Sequence, residues 1–429
     1  MHPWYPVHHD SGGLVSIEDV CRGAQAAAVE LALLTGERKD DALDHVAEAL
    51  ERRFDEILRD NADDLAEARS SRLPEAMIDR LLLDEARLRD IIATVRRVRA
   101  LADPVGEVVR GWRLPNGLDV RQERVPLGVV AVVYESRPDV TVDAAALCLK
   151  AGNAVILRGG SAARHTNRLL AEVVEGAVLE AGLPARSVSH LSPDRDELLQ
   201  LLKQSDFVDV IIPRGGTDLM EYLQAHSRIP VLHAAGGNCH VYVDAAADLD
   251  KALAIVINAK CQRPGVCNSV ETLLVHERVA PAFLPRVFAE LDRRGVELAV
   301  DRTAAGLAPD LPLKRANRAH FETEFLALKL AVRVVASLDE AVEHIAAYGT
   351  RHSEAIVTED TVAARLFTRR VDAACVYVNA STRFTDGGQF GFGAAIGIST
   401  QKLHARGPIG PRELTCAKYV VWGDGQVRP

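Results

Sequence analysis

Several patterns are missing from this 429-residue chain, and each absence removes a class of function. Its seven cysteines (Cys21, Cys148, Cys239, Cys261, Cys267, Cys375, Cys416) are scattered, odd in number and never spaced as Cys-x-x-Cys. Such usage argues against a disulfide framework and against structural zinc, and fits a reducing cytoplasm. No stretch reaches the roughly 18 apolar residues needed to span a bilayer. The start has no cationic segment leading into an apolar run, so no signal peptide is expected. Positive charge is not in excess either. The net charge is −9, and Lys and Arg are interspersed with Asp and Glu, so a nucleic-acid partner is not expected. His2, His8 and His9 read as a loose terminus, and no metal site is expected. No GxGxxG follows a strand pattern, and no GxxxxGK[ST] occurs. The nearest approach, Gly391-Phe392-Gly393 with Gly397, lacks the strand-then-helix setting. A dinucleotide would therefore not sit in the ordinary Rossmann manner.

The composition, 48% hydrophobic and 26% charged, is that of a globular protein with two or three domains. The first hundred residues read as helical, with Ser16 capping a run to Leu34, then Arg38–Asn61 and Pro74–Ala102. Their Glu/Arg-rich faces read as solvated surface. Val108–Glu123, centred on Pro115-Asn116-Gly117, reads as a two-stranded ribbon too small to stand alone. From Gly128, short β-rich runs (Val129–Tyr134, Ala154–Leu157, Val208–Ile212, Val231–Ala235) alternate with helices at Val140–Ala151, Thr166–Ala181 and Asp218–His226. That alternation predicts a doubly wound parallel sheet with ligands at its carboxyl edge. A second α/β region, Cys239–Arg406, has candidate strands at His240–Val243, Thr272–His276, Val332–Val335, Glu354–Val357 and Val376–Asn379.

Chemistry concentrates at Arg263-Pro264-Gly265-Val266-Cys267-Asn268. Pro264 and Gly265 force a turn, and a thiolate placed where a helix begins is stabilised by free N–H dipoles, with Arg263 adding charge. A nucleophilic Cys267 is the reading adopted, against that of one more buried hydrophobe. Three strand ends carry Gly-Gly turns: Arg158-Gly159-Gly160-Ser161, Arg214-Gly215-Gly216 and Gly236-Gly237-Asn238. Glycine lets a backbone approach a ligand, and a following helix offers N–H groups to phosphate, with Arg158 and Arg214 as counter-charges. Ser136-Arg137-Pro138-Asp139 could wall the site opposite Cys267, Ser136 donating and Arg137 contacting an anion. After a late strand, Ser381 and Arg383 lie in a Gly-rich loop suited to a carboxylate. Glu324 could accept from a ribose.

With these residues collected, the chain resembles the γ-glutamyl phosphate reductase family of the aldehyde dehydrogenase superfamily, from about Arg110 to Gly423. The segments that carry the resemblance are Val133–Thr141, Gly237–Asp244, Asn258–Lys260 leading into Gln262–Asn268, Thr385–Gly388 and His404–Gly410. It implies an NADP-binding domain (1–107 and 124–237), a catalytic domain (238–410) and an oligomerisation ribbon (108–123 and 411–429). It also implies NADPH-dependent reduction of L-glutamyl 5-phosphate to glutamate 5-semialdehyde in proline biosynthesis, through a Cys267 thioester. Ser136 and Asn268 would assist at the reacting carbonyl. Arg158, Gly159, Gly160, Ser161, Arg214, Gly215, Gly216 and Glu324 would hold the cofactor, and Arg137, Asn238, Arg263, Ser381 and Arg383 the substrate. A homodimer or homotetramer is implied, with the upstream glutamate kinase as partner. The glutamate that activates water in aldehyde-oxidising relatives falls near Ala234 and Ala235, which suits a thioester that must survive. Two positions depart from the family, Ala395 for a glutamate and Cys261 for a small residue such as threonine. They keep open a paralogous acyl-phosphate or acyl-thioester reductase, and a catalytically silent scaffold.

Overall fold

The computed structural model describes residues 16–232 and 236–428. His2, His8, His9, Ala234 and Ala235 lie outside them. Among the described residues no helix is long and apolar enough to cross a membrane, and no group of His, Cys, Asp and Glu is arranged to hold a metal ion.

The strands, in chain order, are β1 (Val108–Arg113), β2 (Asp119–Pro126), β3 (Val129–Tyr134), β4 (Ala154–Arg158), β5 (Val188–Leu191), β6 (Val210–Arg214), β7 (Cys239–Val243), β8 (Val270–His276), β9 (Glu297–Val300), β10 (Lys314–Arg315), β11 (Lys329–Val335), β12 (Ser353–Val357), β13 (Cys375–Val378), β14 (Ile398–Ser399), β15 (Gly407–Pro408) and β16 (Thr415–Trp422). They form a parallel sheet ordered β5-β4-β3-β6 and a larger parallel sheet ordered β10-β9-β11-β8-β7-β12-β13. Both central strands are apolar runs because helices cover both faces. Every residue of β3 is buried, and so is every residue of β8.

Three of the five N-terminal helices start at a side-chain cap, at Ser16, Thr35 and Asp84. Ser16 accepts from the Asp19 N–H at 3.1 Å, as its position predicts. The expected Arg38–Asn61 helix divides at Arg53 into Gly36–Arg52 and Phe54–Ser70. The expected Pro74–Ala102 helix divides into Glu75–Leu81 and Glu85–Arg99, because the Asp84 carboxylate caps a new start at the Arg87 N–H.

The third unit is an antiparallel sheet ordered β1-β2-β16, in which β1 is exposed at all six positions. The 238–410 segment does not keep to one core. Ala394, Ile396 and Ile409 belong to the same buried core as Val129–Tyr134, so the chain returns to the first core well before residue 411.

Candidate active site

The site lies where the two parallel sheets meet. The carboxyl ends of β3, β4 and β6 bring up Glu135–Arg137, Arg158 and Arg214. Register places Arg158 beside Val133 and Arg214 beside Tyr134. The second sheet contributes the amino ends of three neighbouring strands: Gly237–Asn238 before β7, the Cys267 turn before β8, and His352 before β12. Between them is a cavity of about 200 Å³, into which Ser136, Arg137, Arg214, Cys267 and Glu324 all project.

Residues 262–269 form turns that run directly into β8. No helix begins at Cys267, contrary to the expectation above, because the β-branched and apolar residues from Val270 continue as buried strand. The turn is instead fixed from several sides. Arg80 Nη2 donates to the Gly265 carbonyl at 3.0 Å, Cys239 Sγ to the Cys267 carbonyl at 3.2 Å, and Thr382 Oγ1 to the Asn268 carbonyl at 2.7 Å. Gly237 is pressed so closely against the turn that a Cβ there would lie 1.4 Å from the Cys267 carbonyl oxygen. Gly236-Gly237 is thus a contact that only glycine allows, followed by a strand rather than a helix.

Burial acts to raise the Cys267 pKa, as it does at Cys21 (to about 12) and at Cys148 and Cys239. At Cys267 alone this is overcome, by the charge of His352 and then that of Arg214, and the value falls to about 6. The buried His352 is in turn pushed up, its desolvation outweighed by the Cys267 thiolate. Its Nδ1 lies 2.8 Å from Ser353 Oγ, and its Nε2 has no partner at hydrogen-bond distance. A polar chain continues behind it, from Ser353 Oγ to Thr385 Oγ1 (2.6 Å) and on to the Tyr377 hydroxyl (2.7 Å).

Sequence reasoning missed His352, although a histidine entering a buried strand was a visible signal. It also missed Arg80, which lies in a stretch read as solvated surface yet lines the cavity. Ser136 and Arg137 do stand with Cys267. Ser136 is held at φ 44°, unusual for a residue with a side chain and a mark of functional strain.

Other expected residues have different surroundings. Both donors of the Asn268 carboxamide are spent on the Arg383 and Thr385 carbonyls, and its oxygen accepts from Arg383 Nη1. Ser381 is buried and caps the Arg383 N–H at 3.3 Å. Arg383 also bonds Gln262, so it clamps the Cys267 turn. Arg263, half-exposed, pairs with Asp79 at 3.6 Å. Asn238 donates to the Phe321 and Tyr348 carbonyls and lines a neighbouring cavity of about 730 Å³ instead of the thiol's own. Ala395 packs at Gly387, where an added Cβ would lie 2.5 Å from its nitrogen, and does not line the thiol cavity.

The expected cofactor residues surround the junction of these two cavities, which share Gly216, Gly236 and Glu324. Glu324 Oε1 accepts from the Gly237 N–H at 2.7 Å. Gly216 is the N-cap of a ten-residue helix (Thr217–His226), with open space where a Cβ would be. Arg158 donates to the Pro193 carbonyl at 2.6 Å, and buried Nε atoms of Arg158 and Arg214 have no partner. Gly159 is required by packing, since a Cβ would meet Asn167 at 2.2 Å, while Ser161 opens the turn that follows. Free backbone donors, an open glycine and under-satisfied guanidinium groups fit a dinucleotide's phosphates and ribose.

A low-pKa thiol between two parallel-sheet units defines an oxidoreductase of the aldehyde dehydrogenase kind, and residues 8–306 match the model of the aldehyde dehydrogenase family. The chain is 54% identical over 413 residues to the gamma-glutamyl phosphate reductase of Thermobifida fusca, covering 96% of this chain and 98% of the relative. It is 52% identical over 417 residues to that of Moorella thermoacetica, covering 96% and 99%. The crystal structure of gamma-glutamyl phosphate reductase from Thermotoga maritima superposes with a TM-score of 0.92 at 44% identity, over 96% of this chain and all 100% of the other. The chain belongs to the aldehyde dehydrogenase family and, within it, to the gamma-glutamyl phosphate reductases. That membership implies an enzyme working with a nicotinamide cofactor.

Proposed function

We propose that this protein reduces L-glutamyl 5-phosphate to L-glutamate 5-semialdehyde with release of phosphate, in proline biosynthesis, using NADPH. The observation that carries the reading is Cys267, a thiol lowered to about pH 6 inside a cavity lined by three arginines, Arg80, Arg137 and Arg214. The thiolate attacks the C5 carbonyl carbon, the carbon–oxygen bond to phosphate breaks, and phosphate departs from a Cys267 thioester. The arginines favour both an anionic substrate and its anionic leaving group.

The Cys267 backbone N–H, which has no acceptor among the described residues, and the Ser136 hydroxyl supply hydrogen bonds to the carbonyl oxygen as it gains charge. When bound, the nicotinamide supplies the hydride that reduces the thioester carbon. The carbon–sulfur bond then breaks, returning the thiolate to His352 and freeing the aldehyde. Arg158, Gly216, Arg214 and Glu324 would hold the cofactor, and Asn268 and Arg383 fix the turn that presents the thiol. We assign the protein to the cytoplasm on its free cysteines. The exposed β1-β2-β16 sheet is assigned to homo-oligomer contacts, with glutamate kinase as the upstream partner.

The test is spectrophotometric. Glutamate 5-semialdehyde, phosphate and NADP⁺ should yield NADPH at 340 nm, and Cys267→Ala should abolish the signal. An unchanged rate in that variant would overturn the mechanism.

A further inference from the structure

Beside the thiol cavity lies a second, strongly polar one of about 130 Å³, and Arg80 and Arg137 line both. Its other charged walls include Asp139, Asp143 and Arg263. Asp139 and Asp143 are four residues apart in the helix Asp139–Lys150, so one face presents both carboxylates. Arg137 lies just before that helix, and the single segment 137–143 therefore supplies opposite charges to one small space.

These charges are poorly satisfied within the protein. Asp143 Oδ1 is completely buried and has no hydrogen-bond partner. The Arg137 guanidinium makes no hydrogen bond or ion pair among the described residues, although its backbone carbonyl accepts from the Val140 N–H at 3.1 Å. Arg80 donates to the Gly265 carbonyl at 3.0 Å and weakly to Met77 Sδ at 3.9 Å, and leaves its buried Nε unpaired. Burial, with the charges of Arg214 and Arg80 adding to it, holds the Arg137 guanidinium down to about 10. Burial also pushes the Asp143 carboxyl well up, assisted by Asp139. Unpaired buried groups of both signs are costly, and a ligand carrying the complementary pair relieves the cost.

We propose that this second cavity is an α-amino-acid head-group subsite, with Arg137 and Arg80 receiving an α-carboxylate and Asp143 and Asp139 an α-ammonium. The proposal rests on the reaction assigned above. The acyl carbon at Cys267 and the α-carbon in the second cavity are then joined by the short methylene chain of a glutamyl group. Arg137, at the junction of the cavities, sets the distance between them. The enzyme would read the zwitterion, not merely the length of the acyl chain.

The subsite can be tested without turnover, by protection of Cys267 against iodoacetamide. L-Glutamate should protect at a concentration about 10- to 100-fold lower than glutarate, which lacks the ammonium, or 4-aminobutyrate, which lacks the α-carboxylate. Asp143→Asn should raise the half-protecting concentration of L-glutamate to that of glutarate, and Arg137→Gln to that of 4-aminobutyrate. Asp139→Asn, at the other carboxylate on that helix face, gives the same reading should Asp143→Asn fail to fold. Equal protection by the three compounds in the wild-type protein would overturn the subsite. So would parallel losses for all three compounds in each variant. Turnover of glutamate 5-semialdehyde by the wild-type protein is scored separately. Protection without turnover supports the subsite and overturns the assigned reaction, and turnover without selective protection does the reverse.

Discussion

A buried thiol should be inert, and burial pushes the Cys148 and Cys239 thiols up accordingly. Cys267 differs because His352 and Arg214 stand against it, and their combined effect exceeds the desolvation that burial imposes. The sign of a substitution follows. Since the thiol is held below its ordinary 9.0, at about 6, the reactive thiolate predominates above pH 6 and is lost as pH falls through that value. Iodoacetamide labelling of Cys267 should therefore show an inflection near pH 6. His352→Asn removes the largest lowering influence and leaves burial in place, so the inflection should move upward by more than one unit. An inflection that stayed near pH 6 in that variant would show that the histidine has no part in activating the thiol. A mass-spectrometric count of labelled Cys267 against pH reads either result.

At the level of elements, the turn before β8 is positioned from outside itself. Gly237 contributes by having no side chain, because the Cys267 carbonyl occupies the space of its Cβ. Gly237→Ala must displace the Cys267 peptide, and a displacement of about 1 Å at a reacting group costs about 100-fold in rate. The expected result is a folded protein with kcat/KM down by that order, read by the NADPH assay and circular dichroism together. Activity within a few-fold of wild type would mean that the turn relaxes freely. This contact also marks the boundary of what the sequence could reveal. The alternation of strands and helices from Gly128 was legible because it depends on local periodicity. The motif around Cys267 was legible because its turn residues are adjacent in the chain. His352 and Arg80 were not, since they reach Cys267 across about 85 and 187 residues of chain through the order of β8, β7 and β12 and the docking of a short helix. The helix-start dipoles expected to stabilise Cys267 failed for a related reason. The β-rich run from Val270 does leave the turn as a strand, and the thiol is lowered instead by His352 and Arg214, which are remote in the chain.

For the whole molecule, the unexplained surface is the β1-β2-β16 sheet. It stands apart from both hydrophobic cores and exposes Val108, Val109, Trp112, Tyr419, Val421 and Trp422, of which Trp422 is 65% accessible. Its two outer strands, β1 and β16, each have an edge with no neighbouring strand among the described residues. Exposed aromatic residues on an open-edged sheet invite association, and this chain carries no proline or run of lysines along β16 to prevent it. A second copy is the simplest cover, because closed symmetric contacts bury the same patch on both partners. Replacing Val421 and Trp422 by lysine puts two like charges into that patch without touching either core. Sedimentation velocity should then shift the protein from an oligomer to the mass of a single 46.5 kDa chain, with the Cys267 labelling inflection still near pH 6. A wild-type protein that already sediments as a single chain would leave the exposed sheet to a different partner. A lysine variant that remained oligomeric would place the interface elsewhere on the molecule.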